Sequence, residues 1–240
     1  MINRIKMQKR RGETSQLAPG HYLFVGNPGT GKTTVARLMG NIFKALGILQ
    51  KGHLVEVGRA DLVGKYQGYT AQKTREVLER SIDGVLFIDE AYQLVIDEHD
   101  SFGKEALETL VTTMENQRQR LCIIAAGYPQ PMRSFVNSNP GLTSRFAGEI
   151  VFENYNATEM LAIFNGMLQQ KSFTLGEGVT EALLTIFRQW EQTKDPTFGN
   201  GRDVRKLLDA ACAQMDNRLV DQCVQDEEAQ HQLERIDITR

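Results

Sequence analysis

The chain is poor in the residues that build metal sites and disulfide frameworks. Its 240 residues hold three cysteines, Cys122, Cys212 and Cys223, an odd number without metal-ligand spacing. A disulfide scaffold is therefore excluded, and reduced thiols in a cytoplasmic compartment are expected. The four histidines, His21, His53, His99 and His231, are scattered with no His-x-x-x-His pair, so a structural metal is not expected. No run of about 18 apolar residues occurs. Met1 is not followed by an apolar signal core, so neither membrane insertion nor secretion is expected. Charge of one sign is missing too: a net charge of −2 gives no global basic field to recruit nucleic acid or an anionic membrane. Only the ends are biased. Arg4, Lys6, Lys9, Arg10 and Arg11 make the start basic, and Asp226, Glu227, Glu228, Glu234 and Asp237 make the tail acidic. Both ends read as solvated.

What is present describes an ordinary globular chain, 41% hydrophobic and 24% charged, long enough for one large domain with a small appendage. From His21, short apolar runs alternate with helical stretches. Strands are expected at 21–25, 53–57, 85–88, 121–126 and 149–153, with helices at 32–46, 70–81 and 103–117. Strands separated by helices of this length predict an α/β domain with a mainly parallel sheet covered by helices on both faces. After about Tyr155 the pattern turns helical, at 157–170, 179–192 and 202–219, with no strand signal. The expected organisation is a basic segment and linker over 1–20, an α/β nucleotide-binding domain over 21–155, a small all-helical domain over 156–220, and an acidic tail over 221–240.

Gly26-Asn27-Pro28-Gly29-Thr30-Gly31-Lys32-Thr33 fits the phosphate-loop pattern, and Thr34 follows it. Phosphates need a concave run of backbone N–H donors, and small residues let the chain wrap closely around them. The expected strand ending at Val25 and the expected helix from Lys32 supply the right context, with the helix N-terminus facing the anion. Lys32 would meet the β- and γ-phosphates, and Thr33 would ligate Mg²⁺ through its hydroxyl.

Val85-Leu86-Phe87-Ile88-Asp89-Glu90 is an apolar strand ending in two acids, which would stand at the sheet's carboxyl edge beside the loop. Successive side chains point to opposite sides, so the acids can divide the work. Asp89 would orient Mg²⁺ or its waters, and Glu90 would polarise the attacking water as general base.

Together these motifs make the chain resemble the AAA+ ATPases, in the branch that contains red-type rubisco activase, sporulation stage V protein K and the ATPases of type VII secretion. The stretches that carry the resemblance run in order from Gly26–Arg37 through Asp61–Gly68, Gly84–Tyr92, Met114–Arg118, Ala126–Tyr128 and Asn139–Phe146 to Gly199–Leu207. The resemblance implies a phosphate-loop AAA+ module with a helical lid, ATP and Mg²⁺ as cofactors, and a homo-oligomeric ring, usually hexameric, with ATP bound between subunits. It makes Arg145 the arginine finger donated to a neighbour's γ-phosphate, against the alternative of a surface or fold-internal salt bridge. It places the nucleotide-sensing arginine of the lid at Arg202 or Arg205. Arg202 is preferred because it follows the glycine turn, and Arg205 would otherwise pair with Asp209 at i,i+4. It makes Lys65-Tyr66-Gln67-Gly68 a pore loop in which Tyr66 grips a protein client, the alternative being a tyrosine packed on its own subunit.

Gln67 departs from the pattern, since related loops often carry an aliphatic residue there. The fourth strand ends Ala125-Ala126-Gly127-Tyr128 without the polar sensor of many relatives, which leaves that role unassigned. Relatives also carry an upstream turn and helix that help to enclose the adenine, and no such turn is seen in the first twenty residues. Three readings follow. The first is an ATP-hydrolysing ring motor that remodels a protein. The second is a nucleotide-gated scaffold that hydrolyses slowly. The third, a nucleic-acid machine, lacks a basic stripe.

Overall fold

The computed structural model describes residues 17–66, 68–97, 99–193, 198–222 and 231–238. The basic cluster Arg4–Arg11, Gln67, Asp195 to Thr197, Cys223 and the acids Asp226, Glu227 and Glu228 lie outside the described residues. The chain divides into two compact units. One comprises residues up to Gly26 and Lys32–Phe152, the other Asn27–Gly31 and Glu153–Arg240.

The first unit holds β1 (His21–Gly26), α1 (Lys32–Ala45), β2 (Leu54–Val57), α2 (Arg59–Leu62), α3 (Thr70–Ser81), β3 (Gly84–Ile88), α4 (Ser101–Asn116), β4 (Leu121–Gly127), α5 (Pro129–Asn137), α6 (Pro140–Arg145) and β5 (Phe146–Phe152). The strands form one parallel sheet in the order β2-β3-β4-β1-β5. The central strands β3 and β4 are buried throughout, as the unbroken apolar runs Val85–Ile88 and Leu121–Ala126 require of a sheet covered on both faces. Alternate residues serve the two faces. Phe24, Val85, Phe87 and Ile124 pack against Ala36 and Phe43 of α1. Leu23, Val25, Leu86, Ile88 and Ile123 pack against Val77 and Leu78 of α3, Leu107 and Leu110 of α4, and Phe135 of α5. Each fully buried Leu, Ile or Phe contributes about 1.5–3 kcal/mol.

His21 opens β1 from inside this core. Its Nδ1 accepts from the Ile123 N–H at 2.9 Å, and Nε2 lies 3.0 Å from the Met114 carbonyl, so Nε2–H is the donor. Burial pushes its pKa below the ordinary histidine value.

Two features of this unit go beyond the sequence expectation. The strand expected at 149–153 begins at Phe146 and is an edge strand exposed from Ala147 to Val151; Ala-Gly-Glu has low strand propensity and hides its start. The short helices α5 and α6 each begin with proline in the first turn, which needs no apolar periodicity to form.

The second unit holds α7 (Ala157–Gln170), β6 (Thr174–Leu175), α8 (Val179–Thr193), α9 (Gly201–Asp221), β7 (Gln232–Leu233) and α10 (Arg235–Ile238). Asn156 and Glu159 form a reciprocal capping box at the start of α7. Met160, Phe164, Leu183, Phe187, Val204, Leu208 and Met215 form its core. Its mass is helical as expected, but β6 and β7 pair in parallel, a two-residue ladder too short to show a period in sequence.

The solvated reading of the acidic tail is corrected at Asp237. Its carboxylate is buried and accepts from Arg218 Nε at 3.0 Å and Nη2 at 3.1 Å, while Glu234 takes Arg218 Nη1 at 3.2 Å. Leu233 and Ile238 bury beside it. Two apolar residues and one charge partner bring this stretch into the core, although its acidic composition suggests solvent.

Candidate active site

In the first unit, β1 and β3 lie on either side of β4, with Val25 opposite Gly127 and Ile88 opposite Ala125. Parallel strands end at one edge, so Gly26 and Asp89 both stand there with β4 between them. Lys32 opens α1 at this edge, and its ammonium donates to the Gly26 carbonyl at 2.8 Å. Thr33 follows, half-buried in the first helical turn, and Thr34 is exposed.

Asp89 donates its N–H to the Val57 carbonyl at 2.9 Å, which extends the β2–β3 pairing by one residue, and its Oδ1 accepts the Glu90 N–H at 3.1 Å. Glu90 has φ +49°, a left-handed conformation that a non-glycine residue adopts only when its surroundings fix it. The left-handed turn takes it out of the strand, and its carboxylate accepts from the Gln93 side chain.

The surroundings that hold this turn include Arg59 and Asp100, which the sequence reading missed. Arg59 Nη1 donates to the carbonyls of Gln93 and Leu94 at 2.9 and 2.6 Å, in the 3₁₀ turn that follows Glu90. Both guanidinium nitrogens also reach Asp100, at 2.6 and 3.1 Å. Asp100 caps α4 as well, accepting from the Gly103 N–H at 2.9 Å and the Ile96 N–H at 3.1 Å. Chiefly because of the Arg59 hydrogen bond, its carboxyl is held down at about 2. The only sequence trace of this clamp is an N-cap aspartate three residues before a glycine.

Asn27–Gly31, the middle of the phosphate-loop motif, belongs to the second unit. Asn27 donates its amide to Asn154 Oδ1 at 2.9 Å. Gly29 has φ +70°, and a Cβ there would lie 2.0 Å from the Gly199 carbonyl oxygen, so only glycine fits. Asn154, Tyr155 and Asn200 all touch this loop and were not singled out from the sequence; Asn200 between two glycines is a turn signal that could have found one of them. Arg202 and Arg205 are both exposed on the first turns of α9. Asp209, the alternative partner of Arg205, pairs instead with Lys171 at 3.3 Å.

Arg145 ends α6 in the first unit. Its Nη1 donates to the Gly141 carbonyl at 3.1 Å, and Nε lies 3.8 Å from Glu115, too far for a hydrogen bond. That Nε is buried without a hydrogen-bond partner. Tyr66 is 72% exposed and Tyr69 61%, with ring centroids 6.2 Å apart in an edge-to-face pair; Lys65 and Gly68 are exposed beside them.

The residues fit a magnesium nucleotide. Among the described residues no group of three or more His, Cys, Asp or Glu could hold a metal by itself. One hydroxyl at Thr33 and one carboxylate at Asp89 suit Mg²⁺, which is usually held by one or two protein groups together with phosphate oxygens and water. A parallel sheet with a phosphate-loop sequence and an acid pair at its carboxyl edge, followed by a helical unit, defines a nucleotide hydrolase of the phosphate-loop class.

The comparisons give the family. Residues 22–154 match the ATPase family associated with various cellular activities (AAA), and residues 156–240 match the AAA lid domain. The chain is 45% identical over 216 residues to the chloroplastic ribulose bisphosphate carboxylase/oxygenase activase of Cyanidioschyzon merolae, covering 89% of this chain and 73% of that protein. It is 44% identical over 201 residues to stage V sporulation protein K of Bacillus subtilis, covering 83% and 62%. With protein CbbX of Cereibacter sphaeroides the identity is 45% over 200 residues, covering 83% and 64%. A solved RuvB mutant from Thermotoga maritima shares the fold, with a TM-score of 0.60 at 18% identity over 98% of this chain and 64% of that one. This chain belongs to the AAA family of ATPases, in the branch of CbbX, stage V sporulation protein K and rubisco activase.

Proposed function

We propose that the chain is the motor subunit of a cytoplasmic homo-oligomeric ring, hexameric by family habit, which hydrolyses Mg-ATP to remodel or thread a protein client. The observation that carries the remodelling reading is Tyr66, 72% exposed on the loop between α2 and α3, where a broad amphipathic ring is free to meet a peptide. The acids and Lys32 at one sheet edge carry the hydrolytic half. The activase named above supports a protein as client, because its name gives it one. Among the described residues no helix is long and apolar enough to cross a membrane.

Each residue then has a task. The loop Gly26–Thr34 binds the phosphates through its N–H groups, and Lys32 leaves the Gly26 carbonyl to meet the β- and γ-phosphates. Thr33 and Asp89 would hold Mg²⁺, which when bound would offset charge on the phosphate oxygens. Glu90 takes a proton from the attacking water, and Gln93 with the Arg59–Asp100 clamp keeps its carboxylate at the edge. Arg145 reaches the γ-phosphate of a neighbouring subunit, for which its loose tie to Glu115 leaves it available. Arg202, or Arg205 one turn later, senses the nucleotide from α9. Lys65, Tyr66, Gln67 and Gly68 form the client-gripping loop.

The test is ATPase rate against protein concentration, with particle mass recorded with and without ATP. Turnover that rises with concentration, in step with nucleotide-dependent rings, is expected. A monomer that turns over at full rate overturns the ring. The second reading, a nucleotide-gated scaffold with slow hydrolysis, is favoured by β4, which ends at Ala126-Gly127 with no polar side chain before Tyr128.

A further inference from the structure

The carbonyl oxygens from Gly26 to Thr30 are all hydrogen-bonded, and three consecutive ones are held by residues from the C-terminal part of the second unit. Gly26 O takes Lys32 Nζ at 2.8 Å, and Asn27 O takes Thr30 Oγ1 at 2.8 Å. Pro28 O then accepts from Asn200 Nδ2 at 3.2 Å, Gly29 O from the Gly201 N–H at 3.1 Å, and Thr30 O from the Tyr155 hydroxyl at 2.9 Å. In a trans peptide the C=O and the following N–H point in opposite directions. Fixing the carbonyls of Pro28, Gly29 and Thr30 on one side therefore turns the N–H groups of Gly29, Thr30 and Gly31 to the other. None of these three N–H groups donates to another described residue.

Asn200 is the centre of this arrangement. It is completely buried, its Oδ1 accepts the Tyr155 N–H at 3.0 Å, and its Nδ2 also lies 3.1 Å from Asn154 Oδ1 and 3.3 Å from the Phe198 carbonyl. Its backbone sits at φ +49°, ψ −121°, a region that strongly favours glycine. A glycine would relieve the backbone, so an asparagine here points to a use for the side chain.

We propose that Asn200, assisted by Tyr155, is a positioning residue for nucleotide: it holds the carbonyl side of the Asn27–Gly31 loop so that the N–H side is set for phosphate before ATP arrives. This rests on the reading of Gly26–Thr33 as the nucleotide loop. It gives Asn200 a task separate from the arginines of α9, acting on the loop and not on the ligand.

The test compares Asn200→Gly, Tyr155→Phe and Lys32→Ala in the full chain, using a fluorescent ADP analogue for affinity and steady-state ATP hydrolysis for the KM and kcat split. Asn200→Gly keeps the backbone conformation accessible and removes only the amide. It is expected to weaken ADP binding about tenfold, as the loss of a buried hydrogen bond predicts, and to raise KM similarly with kcat within about threefold. Tyr155→Phe is expected to weaken binding about threefold in the same pattern. ADP affinity within twofold of wild type in Asn200→Gly, or a fall in kcat at unchanged KM, overturns the proposal provided Lys32→Ala has lost binding. If Lys32→Ala binds normally, the reading of the loop itself fails and takes this proposal with it. Should Asn200→Gly not fold, Tyr155→Phe decides alone, and unchanged affinity there overturns it.

Discussion

The ammonium of Lys32 lies 2.8 Å from the carbonyl oxygen of Gly26, six residues earlier on the same loop. The contact is a parking place: a carbonyl is a weaker partner for an ammonium than a phosphate is. Lys32→Ala is therefore expected to lower ATP affinity at least about a hundredfold, two decades being a modest toll for a charge on a polyphosphate. Titration calorimetry with ATP checks this, and undiminished affinity would remove the loop from the site.

Asp100 gives a pH-dependent expectation. Arg59 holds its carboxyl at about 2, below the ordinary value of about 3.9. A depressed carboxylate contributes stability that is fully present above the unfolded value and is lost as pH falls through the folded one. Asp100→Asn is expected to cost about 2 kcal/mol near neutral pH, and the difference from wild type should shrink below pH about 4. Urea unfolding at several pH values checks it. A difference that stays constant down to pH about 2 would show that the carboxylate's charge is not what Arg59 reads.

Arg218 and Asp237 are both buried in the C-terminal unit. Asp237→Ala leaves the guanidinium with only the half-exposed Glu234 as carboxylate partner, and a loss of about 3 kcal/mol is expected. Chemical unfolding followed at Trp190, which packs against the same core, reads it directly. A loss below about 0.5 kcal/mol would place the pair among weak surface contacts.

The main elements were legible where pattern and burial agree. Val85–Ile88 and Leu121–Ala126 are apolar at every position because both faces of the sheet are covered, and the helices at 70–81 and 157–170 match their expected bounds. Glycine, lysine and acid positions around Lys32, Asp89 and Glu90 carry a pattern dense enough to read without a fold. What escaped was set by tertiary contact. Asp237 is acidic in an acidic tail, and only its partner 19 residues earlier makes it a core residue. Arg59 and Asp100 are 41 residues apart and meet only once β2 and β3 are paired. Tyr155 and Asn200 reach a loop more than a hundred residues upstream, with no local period to announce it.

Tyr66 and Tyr69 share one exposed edge-to-face pair, and the sequence points to Tyr66 alone. Both rings lie outside the sheet and its core, so Tyr66→Ala is expected to leave basal ATP hydrolysis within about twofold and stability within about 0.5 kcal/mol. Client remodelling should fall at least about tenfold, the loss of an aromatic anchor. A substrate-unfolding assay run beside an ATPase assay separates the two. Normal remodelling by the variant would sink the pore-loop assignment.

The central claim is that ATP is hydrolysed at a site one chain cannot complete, since Arg145 must come from a neighbour. The most direct measurement mixes Arg145→Ala chains with Lys32→Ala chains, each inactive alone, and follows phosphate release across the mixing ratio. The Arg145→Ala chain keeps an intact loop and acid pair, and the Lys32→Ala chain supplies the missing guanidinium. Activity that appears on mixing and peaks at intermediate ratios is the expected result; no activity at any ratio would contradict a finger acting between subunits.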